Sequence, residues 1–353
     1  MLRTPCYAVA SPTSPLAPFE IQRREPRLHD VLIDIDFCGI CHSDIHQARD
    51  EWGGAIFPMV PGHEIVGRVS QVGDMVTRWK VGDSVGVSVI VDSCRQCAAC
   101  KRGEEQYCER TASGTYNGLE QDGKTPTYGG YSTRITVDEN FILGIPEGLH
   151  PEGAAPLLCA GITTYSPLRH FGVKQGDKMA IVGLGGLGHM GVKLGKAMGA
   201  DVTVISRSAT KKEDALQMGA DDFVLASDPR TLRSNDRRFD FLLDTVSAAH
   251  DYNSYLQLLR TDGTMILVGL PEPTLLRPQS IIDRRLRLVG SSIGGMRETQ
   301  EMLNFCATRG IESDVEVIRI QDVNEAYERT MKGDVRYRFV IDLDSLRNAQ
   351  LSN

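Results

Sequence analysis

Up to residue 150 the apolar positions fall in short runs separated by turn signals. The runs are "VLIDIDF" (31–37), "IVGRVSQVG" (65–73), "DSVGVSVIV" (83–91) and "STRITV" (132–137). Between them stand "VPGHE", "KVGD" and "TYGGYS", rich in glycine and proline. Short β-type runs with such punctuation predict a mostly-β or α+β domain with long loops.

The pattern changes after that. "HPEGAAPLLCAGITTYSPLRHFG" (150–172) reads as helical, and strict alternation of strand and helix follows. "KMAIVG" (178–183) is a buried strand and "LGHMGVKLGKAMG" (187–199) a helix with small residues on its packing face. "DVTVIS" (201–206) is the next strand, "ATKKEDALQMG" (209–219) the next helix, and "DFVLA", "FDFLLDTV" and "GTMILVGL" are further strands. Such alternation implies a doubly wound parallel sheet. It runs out near "LRLVGSSIGG" (286–295). "ETQEMLNFCATRG" and "RYRFVIDL" then read as a helix and a strand that return to the first domain. The expected division is therefore 1–152 with 293–353, and 153–292.

Composition agrees with two domains. The chain has 353 residues, 41% of them hydrophobic, and roughly 150 residues per domain is the usual size. The net charge of −7 argues against nucleic acid or an anionic membrane as a partner. No apolar run reaches the roughly 18 residues of a membrane span. The start, "MLRTPCYAVASPTSP", lacks the apolar stretch of a signal peptide, so a cytoplasmic location is expected. In that compartment clustered cysteines are more often metal ligands than disulfides.

"GLGGLG" places Gly183, Gly185 and Gly188 in G-x-G-x-x-G register, after a strand and before a helix. Gly183 permits the tight turn, Gly185 lets the backbone approach a pyrophosphate, and Gly188 lets the helix pack on the sheet. The phosphates would sit at the helix N-terminus, beside Gly186 and Leu187. A structural turn without nucleotide is the alternative reading. A fold that binds NAD usually carries an acid at the end of the second strand. Here Ser206, Arg207 and Ser208 stand there, and Lys211 follows. Arg207 and Lys211 would attract a 2′-phosphate that an acid would repel, which favours NADP(H).

Two metal-ligand sets are present. Cys94, Cys97, Cys100 and Cys108 lie within "DSCRQCAACKRGEEQYC". Four thiolates close a tetrahedron around zinc and leave no open position, so this lobe (about 92–110) is expected to be structural. An iron–sulfur cluster or two disulfides are the rivals. Cys41 in "CGICHSDIH", His63 in "VPGHEIVG" and Cys159 in "APLLCAGIT" are scattered. Two cysteines and a histidine are a recognised catalytic zinc set with one position open. Each alone also reads as a core cysteine or a hydrogen-bonded histidine.

These segments, with "GGYS", "VISRS", "GSSIGG" and "DVRYRFVID", resemble the zinc-dependent medium-chain alcohol dehydrogenases. Within them the likeness is to the cinnamyl-alcohol-dehydrogenase branch of NADP-dependent reductases, and it covers nearly the whole chain. The resemblance implies a GroES-like catalytic domain plus a Rossmann domain, two zinc ions per chain and a homodimer. Cys41, His63 and Cys159 would hold the catalytic zinc, with Glu64 beside it as an alternative ligand. Asp44 would orient His63. Ser43, where many relatives have threonine, would bond the alcohol oxygen, and His46 would end a proton relay. Thr163, Ser292 and Ile293 would face the nicotinamide, and Val268 and Gly269 would also belong to the cofactor site. Trp52 would wall the substrate pocket.

The function implied is NADP(H)-linked interconversion of a primary alcohol and an aldehyde, aromatic or aliphatic. Rivals are a zinc-free quinone reductase, an NAD-linked polyol or secondary-alcohol dehydrogenase, and a non-enzymatic nucleotide-sensing zinc protein. The ligand triple speaks against the first, the missing acid near Ser206 against the second, and a complete relay beside an open metal site against the third.

Overall fold

The computed structural model describes residues 1–351. It forms two compact units, Met1–Ile162 with Gly294–Asn353, and Thr163–Ile293.

The first unit is built on a seven-stranded sheet. Its order is Leu143–Gly144, Ser84–Val87, Ile65–Val72, Asp30–Gly39, Arg338–Asp342 and Val315–Arg319, and Arg134–Asp138 also pairs with Asp30–Gly39. Strand Asp30–Gly39 is central, and Ile33 and Ile35 are fully buried on it. Asp34 and Asp36 alternate with these isoleucines and are part-exposed, the period-two pattern of a strand with one buried face. The C-terminal segment completes the sheet: Val340, Ile341 and Asp342 lie opposite Gly39, Cys38 and Phe37.

The second unit holds a six-stranded, all-parallel sheet. Its order is Asp222–Leu225, Asp201–Ser206, Lys178–Val182, Phe239–Asp244, Leu259–Leu267 and Arg287–Gly290. Counted along the chain this is 3-2-1-4-5-6, the doubly wound order, whose ligands bind beyond the carboxyl ends of the strands. The first strand stops at Val182, and Gly183 turns away with φ +87°. The helix after it runs Gly186–Ala197.

The division falls at Thr163 rather than at 153. Pro151–Leu158 packs on the first unit's sheet: Leu157 and Leu158 are fully buried, and Ser88 Oγ donates to Leu158 O at 2.5 Å. The segment looks like the beginning of the α/β alternation because it is helical and apolar, yet its apolar face is covered by β-structure of the first unit. No described helix is long and apolar enough to cross a membrane.

Candidate active site

Four side chains from three distant segments of the sequence converge in the first unit. Donor atoms of Cys41, His63, Glu64 and Cys159 all lie within 4.8 Å of one another. Cys41 Sγ is 3.9 Å from Cys159 Sγ, and His63 Nε2 is 3.3 Å from the same sulfur. The sulfur separation is far beyond the roughly 2 Å of a disulfide. Two sulfurs, an imidazole nitrogen and a carboxylate are donors that suit zinc. Glu64 Oε2 is buried with no hydrogen-bond partner, as expected of an oxygen placed to face a cation.

Local structure explains each placement. Cys41 caps helix His42–Ala48. Cys159 follows the 3-10 turn Ala155–Leu158, its N–H donating to Pro156 O. His63 is reached through Gly62, at φ +105°, where a Cβ would come within 2.7 Å of Cys38 Sγ and of the Tyr131 ring. Only glycine lets the chain through.

Asp44 is fully enclosed and satisfied by three donors. Its Oδ2 accepts Cys41 N–H at 2.9 Å, and its Oδ1 accepts Gly62 N–H at 3.0 Å and faces His63 Nδ1 at 3.1 Å. The proton of a neutral His63 therefore sits on Nδ1, and the Nε2 lone pair points at the sulfurs.

The electrostatics follow from burial and close contact. Burial pulls the His63 imidazolium down, but Asp44 and Cys41 hold it well above the ordinary histidine value. The hydrogen bond with Cys159 holds Cys41 well below the usual thiol range, and the same bond, with burial, pushes Cys159 up. Burial pushes Glu64 up to about 8, against the pull of Arg338. A divalent cation would supply the missing positive charge and displace these protons.

Two residues here have no counterpart in the sequence reading. Arg338, at the start of strand Arg338–Asp342, donates through Nη2 to Glu64 Oε1. Tyr116 stacks on His63, with ring centroids 5.8 Å apart and planes 20° from parallel. The signal for Arg338 was available: an arginine inside the apolar run "RFVI" needs a buried partner. Gly39 belongs to the same arrangement, since a Cβ there would lie within 1.9 Å of Glu64 Oε2.

Ser43 Oγ lies 3.6 Å from Cys41 Sγ, adjacent to the convergence. His46 is one turn further along the same helix. Its Nδ1 faces the Glu51 carboxylate, and its ring stacks on Trp52 at 5.1 Å. Trp52 is 48% exposed.

Four further cysteines gather separately, also in the first unit. Donor atoms of Cys94, Cys97, Cys100 and Cys108 lie within 4.8 Å of one another. Backbone N–H groups point at their sulfurs: Cys97 N–H at Cys94 Sγ (3.4 Å), Cys100 and Glu109 N–H at Cys97 Sγ (3.5 and 3.4 Å), Cys94 N–H at Cys108 Sγ (3.5 Å). Donors of this kind stabilise thiolates. The N–H groups of Cys100 and Glu109 hold Cys97 down to about 6, whereas burial pushes Cys100 up to about 12.

In the second unit, Gly188 is pressed against the turn: a Cβ there would meet Gly183 O at 2.1 Å. Gly185 is exposed, and a Cβ there would meet nothing within 4 Å. The glycine said to admit a pyrophosphate thus borders open space above the helix N-terminus. Ser206 is buried and its Oγ accepts Ser208 N–H at 3.3 Å, while Arg207 is exposed. Lys211 Nζ donates to Leu184 O at 2.6 Å, so it braces the glycine-rich turn itself. Val268 and Gly269 N–H both donate to Asp244 O, at 3.0 and 3.1 Å. Thr163 and Ile293 are the first and last residues of this unit. Ser292 is exposed, and Ile293 adopts φ +36°, an uncommon conformation for a β-branched residue.

Comparison with known proteins bears on both units. Residues 27–147 match the alcohol dehydrogenase GroES-like domain, and residues 186–308 match the zinc-binding dehydrogenase family. The chain is 55% identical to NADP-dependent alcohol dehydrogenase C 1 of Mycolicibacterium smegmatis, over 97% of this chain and 98% of that one. Among solved structures it is similar to a cinnamyl alcohol dehydrogenase of Sorghum bicolor, with TM-score 0.95, 43% identity and coverage of 97% and 98%. It is also similar to the Helicobacter pylori CAD complexed with NADP(H), with TM-score 0.91, 41% identity and coverage of 97% and 99%.

Proposed function

Because the chain belongs to the zinc-dependent medium-chain alcohol dehydrogenases, on the cinnamyl-alcohol-dehydrogenase side, and is an NADP-dependent alcohol dehydrogenase, we propose that Cys41, His63 and Cys159 hold its catalytic zinc and that Ser43 and His46 carry the proton. The convergence of those three donors with Glu64 within 4.8 Å carries this reading.

Zinc held by these residues would supply a Lewis acid for an alcohol or aldehyde oxygen, and bound NADP(H) would supply or accept the hydride. Asp44 fixes the His63 tautomer and, through the Cys41 N–H, the start of the helix. Arg338 balances the charge of Glu64 through one oxygen and leaves the other without a hydrogen-bond partner. Ser43 Oγ would take up the proton of an alcohol as it gives up its own toward His46, which exchanges protons with solvent, and aldehyde reduction would run the same transfers in reverse. The His46 side chain is 21% exposed, enough for that exchange, and Glu51 steadies its ring. Trp52, stacked on His46, forms part of the substrate wall.

Arg207, with Ser206 and Ser208, receives the 2′-phosphate, and Gly183 to Gly188 the pyrophosphate. Lys211 contributes its charge from the turn it braces. Cys94, Cys97, Cys100 and Cys108 hold a structural zinc. The reading includes a cytoplasmic location, where these cysteines stay reduced and NADPH drives aldehyde reduction. It also includes a homodimer, supported by strand Arg287–Gly290 at one edge of the parallel sheet. The testing experiment is a panel of aromatic and aliphatic aldehydes with NADPH and with NADH, reporting kcat/KM. The expected result is NADPH-dependent reduction that vanishes in Cys159→Ala; a zinc-loaded protein that reduces no aldehyde and oxidises no alcohol overturns the reading.

A further inference from the structure

One buried titratable pair has no part in the mechanism above. Asp244 ends strand Phe239–Asp244 and is 1% exposed. Its Oδ1 accepts Val246 N–H at 3.1 Å, and its Oδ2 faces His250 Nε2 at 2.7 Å. The other ring nitrogen, His250 Nδ1, faces Ala248 O at 2.8 Å. A carbonyl oxygen can only accept, and an ionised carboxylate can only accept. With the carboxylate ionised, both ring nitrogens carry protons, which is the imidazolium.

The surroundings fit that state. The His250 side chain is 11% exposed and meets the edges of Tyr252 and Tyr255, at 5.0 and 5.5 Å between centroids. The charged and titratable groups around it are Asp244, Arg207, the two phenols and Asp251. Burial pushes both phenols up, so they stay neutral. Burial and the like charge of Arg207 work against the His250 proton; Asp244 and the Ala248 carbonyl outweigh them and raise its pKa above the ordinary histidine value.

The loop that this pair holds borders the glycine-rich turn. Thr245 Oγ1 donates to Val182 O at 2.8 Å. A Cβ on Gly183 would come within 2.8 Å of Val246 Cγ2, and one on Gly269 within 2.4 Å of Val246 O. The position of Val246 thus sets the clearance at two glycines of the cofactor site, and Asp244 sets the position of Val246.

We propose that His250, as the imidazolium paired with Asp244, is a positioning residue that clamps residues 245–250 against the glycine-rich turn and makes coenzyme affinity depend on pH. This rests on the reading that the turn binds NADP(H). The sign follows from the direction of the shift. A histidine raised by its partner keeps the pair fully formed below the ordinary histidine pKa and loses it as pH rises through the raised value. Affinity therefore falls toward alkaline pH. Linkage is reciprocal, so coenzyme must raise the His250 midpoint by the same factor.

The test uses the full-length, zinc-loaded protein. NMR of 13C-labelled histidine follows the His250 titration with and without saturating NADP+, with the resonance assigned by its loss in His250→Gln. Dissociation constants for NADP+ and NAD+ are measured across the same pH range. The expected result is a higher His250 midpoint with NADP+ and a parallel weakening of both coenzymes above it, by up to about tenfold, the factor that one pH unit of midpoint shift carries. Glutamine keeps a donor to Asp244 at every pH, so this slope should vanish in His250→Gln. A midpoint unmoved by NADP+, a slope that persists in His250→Gln, or a slope seen with NADP+ alone overturns the clamp. The last would place His250 on the 2′-phosphate instead. The comparison of the two coenzymes needs no variant. No coenzyme binding at any pH would overturn the reading of the turn, and the clamp with it.

Discussion

Arg338 and Glu64 form an ion pair closed off from water, their side chains 4% and 0% exposed, beside the donors of Cys41, His63 and Cys159. They are 274 positions apart in sequence. Removing one partner strands a charge in the interior. Arg338→Met is expected to cost about 3–5 kcal/mol in denaturant unfolding. The double variant Glu64→Gln with Arg338→Met should be milder than Arg338→Met alone. Additive losses would show that the two groups do not act as a pair.

The two cysteine sets should separate in a metal assay. Wild-type protein is expected to hold two zinc ions per chain. Cys159→Ala should hold one, keep a cooperative unfolding transition and lose turnover. Cys100→Ala should also hold one, but with a lowered melting temperature, because its metal ties residues 94–108 together. A Cys100→Ala protein of unchanged stability that loses only kcat would contradict the structural assignment.

Asp44 is placed to act on His63 rather than on substrate. Asp44→Asn keeps the shape but removes the charge, and presents an NH2 group to at least one of the N–H donors that the carboxylate now accepts. Zinc affinity is expected to fall by about 10–100-fold, as for other losses of a group supporting a metal ligand. Competition with a chelator measures it without any reference to turnover.

Coenzyme choice should respond to Arg207. Arg207→Asp places a carboxylate where a 2′-phosphate would lie and should shift the NADPH/NADH ratio of dissociation constants by roughly ten- to a hundredfold, the equivalent of about 1.5–3 kcal/mol for a charge-assisted bond. Lys211→Ala tests a different point. Its ammonium bonds Leu184 O, so the variant should weaken NADH as well as NADPH. An effect confined to NADPH would return Lys211 to the phosphate.

Features that depend on a few neighbouring residues were legible directly. The four-thiolate lobe lies within 15 positions, 94 to 108, and its coordination chemistry follows from residue type and spacing. The strand–glycine-turn–helix of 178–199 was equally local, because the pattern of strand, closely spaced glycines and helix lies in one short stretch, and Gly188 packs on the Gly183 carbonyl of its own turn. The alternation of strands and helices foretold the parallel sheet for the same reason: each element's pattern is set by its own burial.

Contacts between distant segments were not legible in that way. Nothing in spacing brings Cys41, His63 and Cys159 together; the resemblance to a family supplied that grouping, and the fold shows the donors converging. Arg338 stood in the sequence as an anomalous charge in an apolar strand, and its partner became evident only when that strand paired with Asp30–Gly39. Pro151–Leu158 carried the composition of one domain and packs in the other. Lys211 looked like a phosphate ligand from its charge and lies on a backbone carbonyl. His250 showed no signal at all, since its protonation state follows from two acceptors positioned by a loop. The sequence by itself determined the element types, the glycine-rich turn and the four-cysteine cluster, because short-range geometry and hydrophobic period decide these. Tertiary structure alone decided which buried charges meet and which ring nitrogens face acceptors, because burial leaves a polar group dependent on whatever distant chain the fold brings to it.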